Sequence, residues 1–183
     1  MPAKKPRTGG CHCGAIRYTL AAAPMFVHCC HCLDCQKQTG GAFAINALIE
    51  TANLKLTKGK PAMISMPTES GRPHLIARCA KCQVALWSHY GGRMPVAFLR
   101  VSTLDKPHAV RPDVHIFTRS KVPWVNLDGP LPKGTATRRP ALVVKVYYDM
   151  QKEWPAASLA RRAAALAGAG AAKTKTARRG RAA

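Results

Sequence analysis

Apolar and polar residues alternate in short runs along most of the chain, and a period of two predicts strands rather than helices. Residues 15–20 place Ile16, Tyr18 and Leu20 on one face. Further strands are expected over 25–28, 42–49, 54–57, 62–66, 74–78, 84–89, 96–101, 114–118 and 142–148, each bounded by Gly, Pro or charged residues. Lys58-Gly59-Lys60 lies between two of these and predicts a hairpin turn. Helix signals are confined to two places. A helix begun near Leu33 would be stopped by Gly40-Gly41, and an Ala/Arg-rich helix is expected from 156 to about Ala167, where glycines weaken it. Many short strands with little helix between them define a mainly β chain.

Against that pattern the eight cysteines stand out. Cys11 and Cys13 form a C-x-C pair framed by glycines that would let the backbone approach a metal; Cys79 and Cys82 form a C-x-x-C pair far along the chain. Two pairs from distant segments closing one tetrahedral cage is the arrangement of a structural zinc site. Cys29, Cys30, Cys32 and Cys35 crowd into seven residues. Cys30 and Cys32 leave an extended backbone on the same face, and Cys35 completes a second C-x-x-C. Three thiolates leave one tetrahedral position open, as a reactive zinc requires. Alternatives are a closed site completed by Cys29, or a thiol redox switch without metal. Alternation directs Cys29 away from Cys30 and Cys32, toward the core. The same alternation turns His31 and His12 from the neighbouring thiols, as surface groups or supports rather than ligands.

Composition narrows the partners. The 183 residues suffice for one domain with tails. Twenty-nine Lys and Arg against eight Asp and Glu give a formal charge of +21. Part of it sits at the ends, on Lys4, Lys5 and Arg7 and on Arg161, Arg162, Lys173, Lys175, Arg178, Arg179 and Arg181; the rest makes the body basic as well. Such a surface attracts small anions and polyanions, so weak, non-specific nucleic acid binding through the tail is expected. The row of aromatics interleaved with cations that single-strand binders use is missing. The first residues carry charge without an apolar run, and no apolar stretch approaches a membrane span, so a cytoplasmic protein with no membrane partner is expected. In that compartment clustered cysteines read as metal ligands rather than disulfides. The expected organisation is a basic arm over 1–8, a zinc domain over 9–125, a loop with an extra β segment packing on it over 126–155, and a basic tail over 156–183, a short helix followed by disorder.

One resemblance ties these motifs together. Gly10-Cys11-His12-Cys13-Gly14, Cys30-His31-Cys32-Leu33-Asp34-Cys35 with Gly40, Cys79-Ala80-Lys81-Cys82, and His115-Ile116-Phe117 with Ser120 and Trp124 occur in the order and spacing of the glutathione-dependent formaldehyde-activating enzyme family, which includes centromere protein V. The chain resembles that family from about Gly9 to Trp124. The resemblance implies an Mss4-like (β-tent) zinc fold of small antiparallel sheets and two zinc ions per chain. Cys11, Cys13, Cys79 and Cys82 would hold a structural ion, and Cys30, Cys32 and Cys35 a catalytic one. It also implies a carbon–sulfur lyase, joining a thiol such as glutathione to an aldehyde such as formaldehyde to give S-hydroxymethylglutathione, or cleaving that adduct. Arg72, Arg78, Arg93 and Arg100 are candidates to meet the carboxylates of glutathione. The alternative is a zinc-stabilised binding module without catalysis, held to nucleic acid by its charge. Gln83 stands where the family usually has Gly after the second knuckle, and the aromatic that often precedes that knuckle is absent at Ala77-Arg78.

Overall fold

The computed structural model describes residues 6–68, 71–127, 142–143 and 154–179. In chain order the elements are β1 (Arg7–Gly10), β2 (Arg17–Leu20), β3 (Phe26–Cys30), α1 (Leu33–Thr39), β4 (Ala44–Glu50), β5 (Leu54–Lys58), β6 (Ala62–Met66), β7 (His74–Arg78), β8 (Ala85–Tyr90), β9 (Val96–Arg100), β10 (Val114–Ile116), β11 (Leu142–Val143) and α2 (Ala156–Arg179). The protein is mainly β. One sheet has three strands in the order β1-β2-β5; the other has eight, in the order β11-β10-β3-β4-β9-β8-β7-β6.

Alternation in the central strands gives the large sheet two buried faces. Val27, Ala47, Leu99 and Ala97 point to the side where Tyr18, Leu20 and Leu54 of the small sheet, with Ile16 just before β2, pack down. Phe26, Cys30 and Leu48 point to the other, covered by Trp154 with Leu159 and Leu166 of α2. Burying each large apolar side chain in these layers contributes about 1.5–3 kcal/mol. Tyr18 keeps its polar tip satisfied, with its hydroxyl 2.7 Å from Thr103 Oγ1.

Three sequence expectations change in the structure. Lys58-Gly59-Lys60 does not join a hairpin: β5 pairs with β2, while β6 pairs with β7 in the other sheet. Leu54 and Leu56 meet Leu20 and Tyr18, so β5 belongs with the small sheet, and the chain crosses over at Gly59. A Cβ there would lie 2.3 Å from the Ala15 carbonyl oxygen, at a φ of +69°, so glycine alone fits. Pairing is also not wholly antiparallel, because β10 runs parallel to both β3 and β11. Asp113 pins the start of β10: its backbone N–H donates to the Val27 carbonyl, and its carboxylate accepts from the Val27 N–H at 2.8 Å.

The third change concerns the tail. The helix expected to fade near Ala167 runs from Ala156 to Arg179, because the glycines are isolated among strong helix formers. Its first turns are seated on the sheet. Trp154 stacks on Phe26 with ring centroids 4.9 Å apart, Ser158 donates to the Met25 carbonyl, and Arg161 makes a two-pronged pair with Glu50 at 2.8 and 2.7 Å. Among the described residues no helix is long and apolar enough to cross a membrane. Most of the expected strand 142–148 and most of the 126–155 segment lie outside the described residues.

Candidate metal centres

Cys11 and Cys13 sit on the turn after β1, Cys79 and Cys82 on the turn after β7, and the two turns are built alike. Cys11 N–H donates to the Ile16 carbonyl and Cys79 N–H to that of Val84, each closing a tight loop around the sulfurs. The Ile16 N–H adds a bond to Cys11 Sγ at 3.2 Å. All four sulfurs lie within 4.8 Å of one another, with Cys11–Cys13 at 3.5 Å and Cys13–Cys79 at 3.7 Å. Thiolates around a tetrahedral zinc at 2.3 Å stand about 3.8 Å apart, so the cage has the right size. Backbone N–H groups of Cys13 and Val84 donate to Cys82 and pull its thiol down to about 6. The framing glycines serve neighbours rather than a metal: a Cβ on Gly9 would strike Tyr18 and Thr103, and one on Gly10 the Ile16 carbonyl. Gln83 adopts φ +60°, the left-handed conformation that favours glycine, and its side chain donates to the Ala80 carbonyl at 2.9 Å.

The second cluster stands where β3 passes into α1. Cys30 ends the strand, Cys32 is the N-cap of the helix, and Cys35 lies in its first turn. Cys32 Sγ accepts the Cys35 N–H at 3.4 Å and lies 3.4 Å from Cys30 Sγ; the three sulfurs are mutually within 4.8 Å. Gly40, left-handed at φ +64°, ends the helix. Hydrogen bonds from Cys30 and then Cys35 concentrate one negative charge on Cys32 and draw it down to about 2. Cys30 is pushed up, first by its bonds to Cys32 and Cys35 and then by burial. For Cys35 the bond to Cys30 favours ionisation, but the neighbouring Cys32 charge and burial outweigh it and leave the thiol raised. Three thiolates at this spacing ionise together only beside a cation.

One cation is already at hand. His28, Asn46 and Arg100 occupy a row across β3, β4 and β9, on the face of Cys30. Arg100 is 5% exposed; Nη1 donates to Asn46 Oδ1 at 2.7 Å, and Nε has no partner among the described residues. Its charge favours ionised Cys35. The other arginine candidates are scattered: Arg78 donates to the Gln83 carbonyl, while Arg72 and Arg93 flank Gly91.

Cys29 turns its back on this cluster. It faces the opposite side of β3 with His31, and the parallel pairing sets His115 directly beside it. The Cys29, His31 and His115 ligand atoms are also within 4.8 Å of one another. His31 is fully buried, not at the surface. Its backbone is clamped: Ser120 Oγ and Gln36 Nε2 both donate to its carbonyl, and its N–H donates to that of Ile116. Sequence reasoning assigned no role to His115; its strand pairing was the missing signal, although Cys29 and His31 already shared a face by alternation.

With this geometry in place, comparison with known proteins defines the class. The sequence profile of the glutathione-dependent formaldehyde-activating enzyme family matches residues 6–120. A Halomonas elongata protein, provisionally named a glutathione-dependent formaldehyde-activating enzyme, is 31% identical over 129 residues, covering 66% of this chain and 80% of that protein. The chain belongs to the glutathione-dependent formaldehyde-activating enzyme family. A crystal structure of a Rhodobacter sphaeroides protein aligns over 57% of this chain and 91% of its own, with 20% identity and a TM-score of 0.43.

Proposed function

We propose that the chain is a zinc-dependent carbon–sulfur lyase that joins a thiol of the glutathione type to formaldehyde, or cleaves the adduct. The observation that carries this reading is the three-sulfur cluster of Cys30, Cys32 and Cys35, whose nearest spare thiol, Cys29, lies on the other face of the strand. Thiolate sulfurs select zinc among common ions, and the 3.4 Å separation of Cys30 and Cys32 fits a tetrahedral shell. When bound, a zinc ion there would supply an open position and lower the pKa of an incoming thiol. The protein's own residues prepare that position. Hydrogen bonds from Cys30 and Cys35, helped by the first backbone N–H groups of α1, hold Cys32 ionised. Arg100 offsets the excess negative charge of three thiolates, and the Ser120–Gln36 clamp fixes the backbone between Cys30 and Cys32. Addition then needs little beyond proximity: the substrate sulfur attacks the aldehyde carbon, and the carbonyl oxygen takes up the thiol's proton. Cys11, Cys13, Cys79 and Cys82 hold a second zinc, with no position left for substrate, as a structural centre. Free thiols in this number suit a reducing compartment, and we place the protein in the cytoplasm.

Two-dimensional exchange NMR on glutathione and formaldehyde tests the reaction. Adduct exchange faster than the buffer rate, and lost in Cys32→Ser, is expected; exchange at the uncatalysed rate with zinc fully loaded refutes this substrate pair. A second reading, nucleic acid association, draws on the +21 charge and on the cations that α2 carries. Because Trp154, Ser158 and Arg161 seat that helix, the test deletes residues 169–183 only. Binding that vanishes on deletion, or in about 0.5 M salt, makes it a non-specific property of the tail.

A further inference from the structure

Strand β3 is two-sided in chemistry as well as in packing. One side presents Cys30; the other presents Cys29, followed two residues on by His31 and flanked across the parallel pairing by His115. We infer that Cys29, His31 and His115 form a third metal site, taking a four-coordinate divalent cation of the zinc type, back to back with the three-cysteine cluster. Cys29 Sγ is 3.7 Å from His31 Nε2, and His31 Nε2 is 2.9 Å from His115 Nδ1. Around a tetrahedral zinc with ordinary Zn–S and Zn–N bonds these separations are about 3.6 and 3.3 Å. Two imidazoles and a thiolate suit zinc, and differ from the all-sulfur sets of the other two centres.

Burial strengthens the case. Cys29 is 1% exposed and His31 fully buried, so the lone pairs converge in a place that water reaches poorly. His31 Nδ1 has no partner among the described residues; the ring directs its polar contacts through Nε2 alone, toward the other two ligands. His115 is half-buried and leaves a way in for the ion. Occupancy would tie β10 to the end of β3 by a bond stronger than their short hydrogen-bonded ladder. It would thereby brace the backbone that carries Cys30 and Cys32. Binding releases the Cys29 proton to solvent and leaves both imidazoles neutral.

The site reads out through nitrogen. Full-length reduced protein is saturated with zinc alone, and its metal content and zinc-edge X-ray absorption are measured. Three equivalents are expected, with imidazole scattering from one of them. His115→Ala and the milder His115→Gln should each lose one equivalent and the imidazole signature, and melt at lower temperature than the parent, with the β circular dichroism kept. Two equivalents that include imidazole, lost in both variants, would uphold this site while overturning the three-cysteine one. An all-sulfur shell in the zinc-saturated parent, which requires no variant to fold, would overturn the inference.

Discussion

The four-cysteine and three-cysteine clusters use the same ligand atom at nearly the same spacing, yet the fold treats them oppositely. Cys13 and Cys79 are separated by 66 positions and come from two turns on different sheets, so that cluster exists only when the sheets are packed together. Cys30, Cys32 and Cys35 come from one strand-to-helix junction and assemble locally. A metal in the first is therefore coupled to global folding, and a metal in the second to local chemistry. Coordination number alone would not reveal this; chain separation does.

The largest expected effect breaks the first cluster. A structural zinc site of this kind contributes about 10–16 kcal/mol of apparent binding energy, as much as or more than the ~5–15 kcal/mol by which a domain is stable. Cys79→Ser should therefore leave a chain that does not fold, read as loss of the β circular dichroism and of a cooperative melt. Cys32→Ser should keep both and lose adduct exchange by at least about a hundredfold, the scale of removing an essential activating group. If both variants fold, or neither does, the contrast drawn here is wrong.

Next in size is a difference in lability. A mild chelator should strip the three-cysteine centre, whose fourth position is open to attack, while the four-cysteine metal stays until the fold opens. Elemental analysis beside circular dichroism, on one sample over time, checks this. Cys29→Ser should weaken adduct exchange far less than Cys32→Ser does, since Cys29 faces away from the three-cysteine cluster and acts on it only through the backbone that it braces.

Arg100→Met sharpens the comparison further. The guanidinium favours ionised thiols, so removing it should raise their pKa and make protons compete better with the metal. Metal loss from the three-cysteine centre should then begin at a pH about one unit higher, the low end of the effect of a nearby charge. Retention at the four-cysteine centre should not move. Metal content after equilibration across a pH series measures both.

Two smaller effects remain. His89 is buried and its pKa lies below the ordinary 6.5, chiefly through burial. The unfolded chain takes up its proton first, so this contribution is full above pH 6.5 and is lost as pH falls through the depressed folded value. His89→Gln keeps a donor for the Val96 carbonyl, and denaturant melts at excess zinc should show a shallower acid limb. Gln83→Gly relieves a left-handed residue and should stabilise the protein by up to about 1 kcal/mol, less whatever its bond to Ala80 contributes.

Much of this was legible in the sequence because it depends on local pattern. Strands 62–66 and 74–78 fall where alternation put them, and α1 stops at Gly40 because the glycine pair ends any helix. Cysteine spacing alone picked out both thiolate clusters. What could not be read was lateral arrangement. Nothing local says that β10 lies parallel to β3, so His115 offered no reason to be placed beside Cys29. The lone glycine at 59 looks the same in a hairpin as in a crossover between sheets. Ser158 and Arg161 read as a basic tail, and Trp154 as the end of the loop segment before it, because their partners Met25, Glu50 and Phe26 lie more than a hundred residues away.

The distance between the two halves of the four-cysteine cage has a consequence for biosynthesis. Cys11, Cys13 and the crowded thiols of the three-cysteine junction leave the ribosome well before Cys79 and Cys82 do. For the intervening seconds of translation, at about 5–20 residues per second, two thiols of the cage stand open, able to take a stray metal or form a wrong disulfide with Cys30 or Cys35. A nascent chain of this design depends on the reducing power and zinc supply around the ribosome. Shortage of either should appear first as lower yield of soluble protein, before any change in the activity of the molecules that fold.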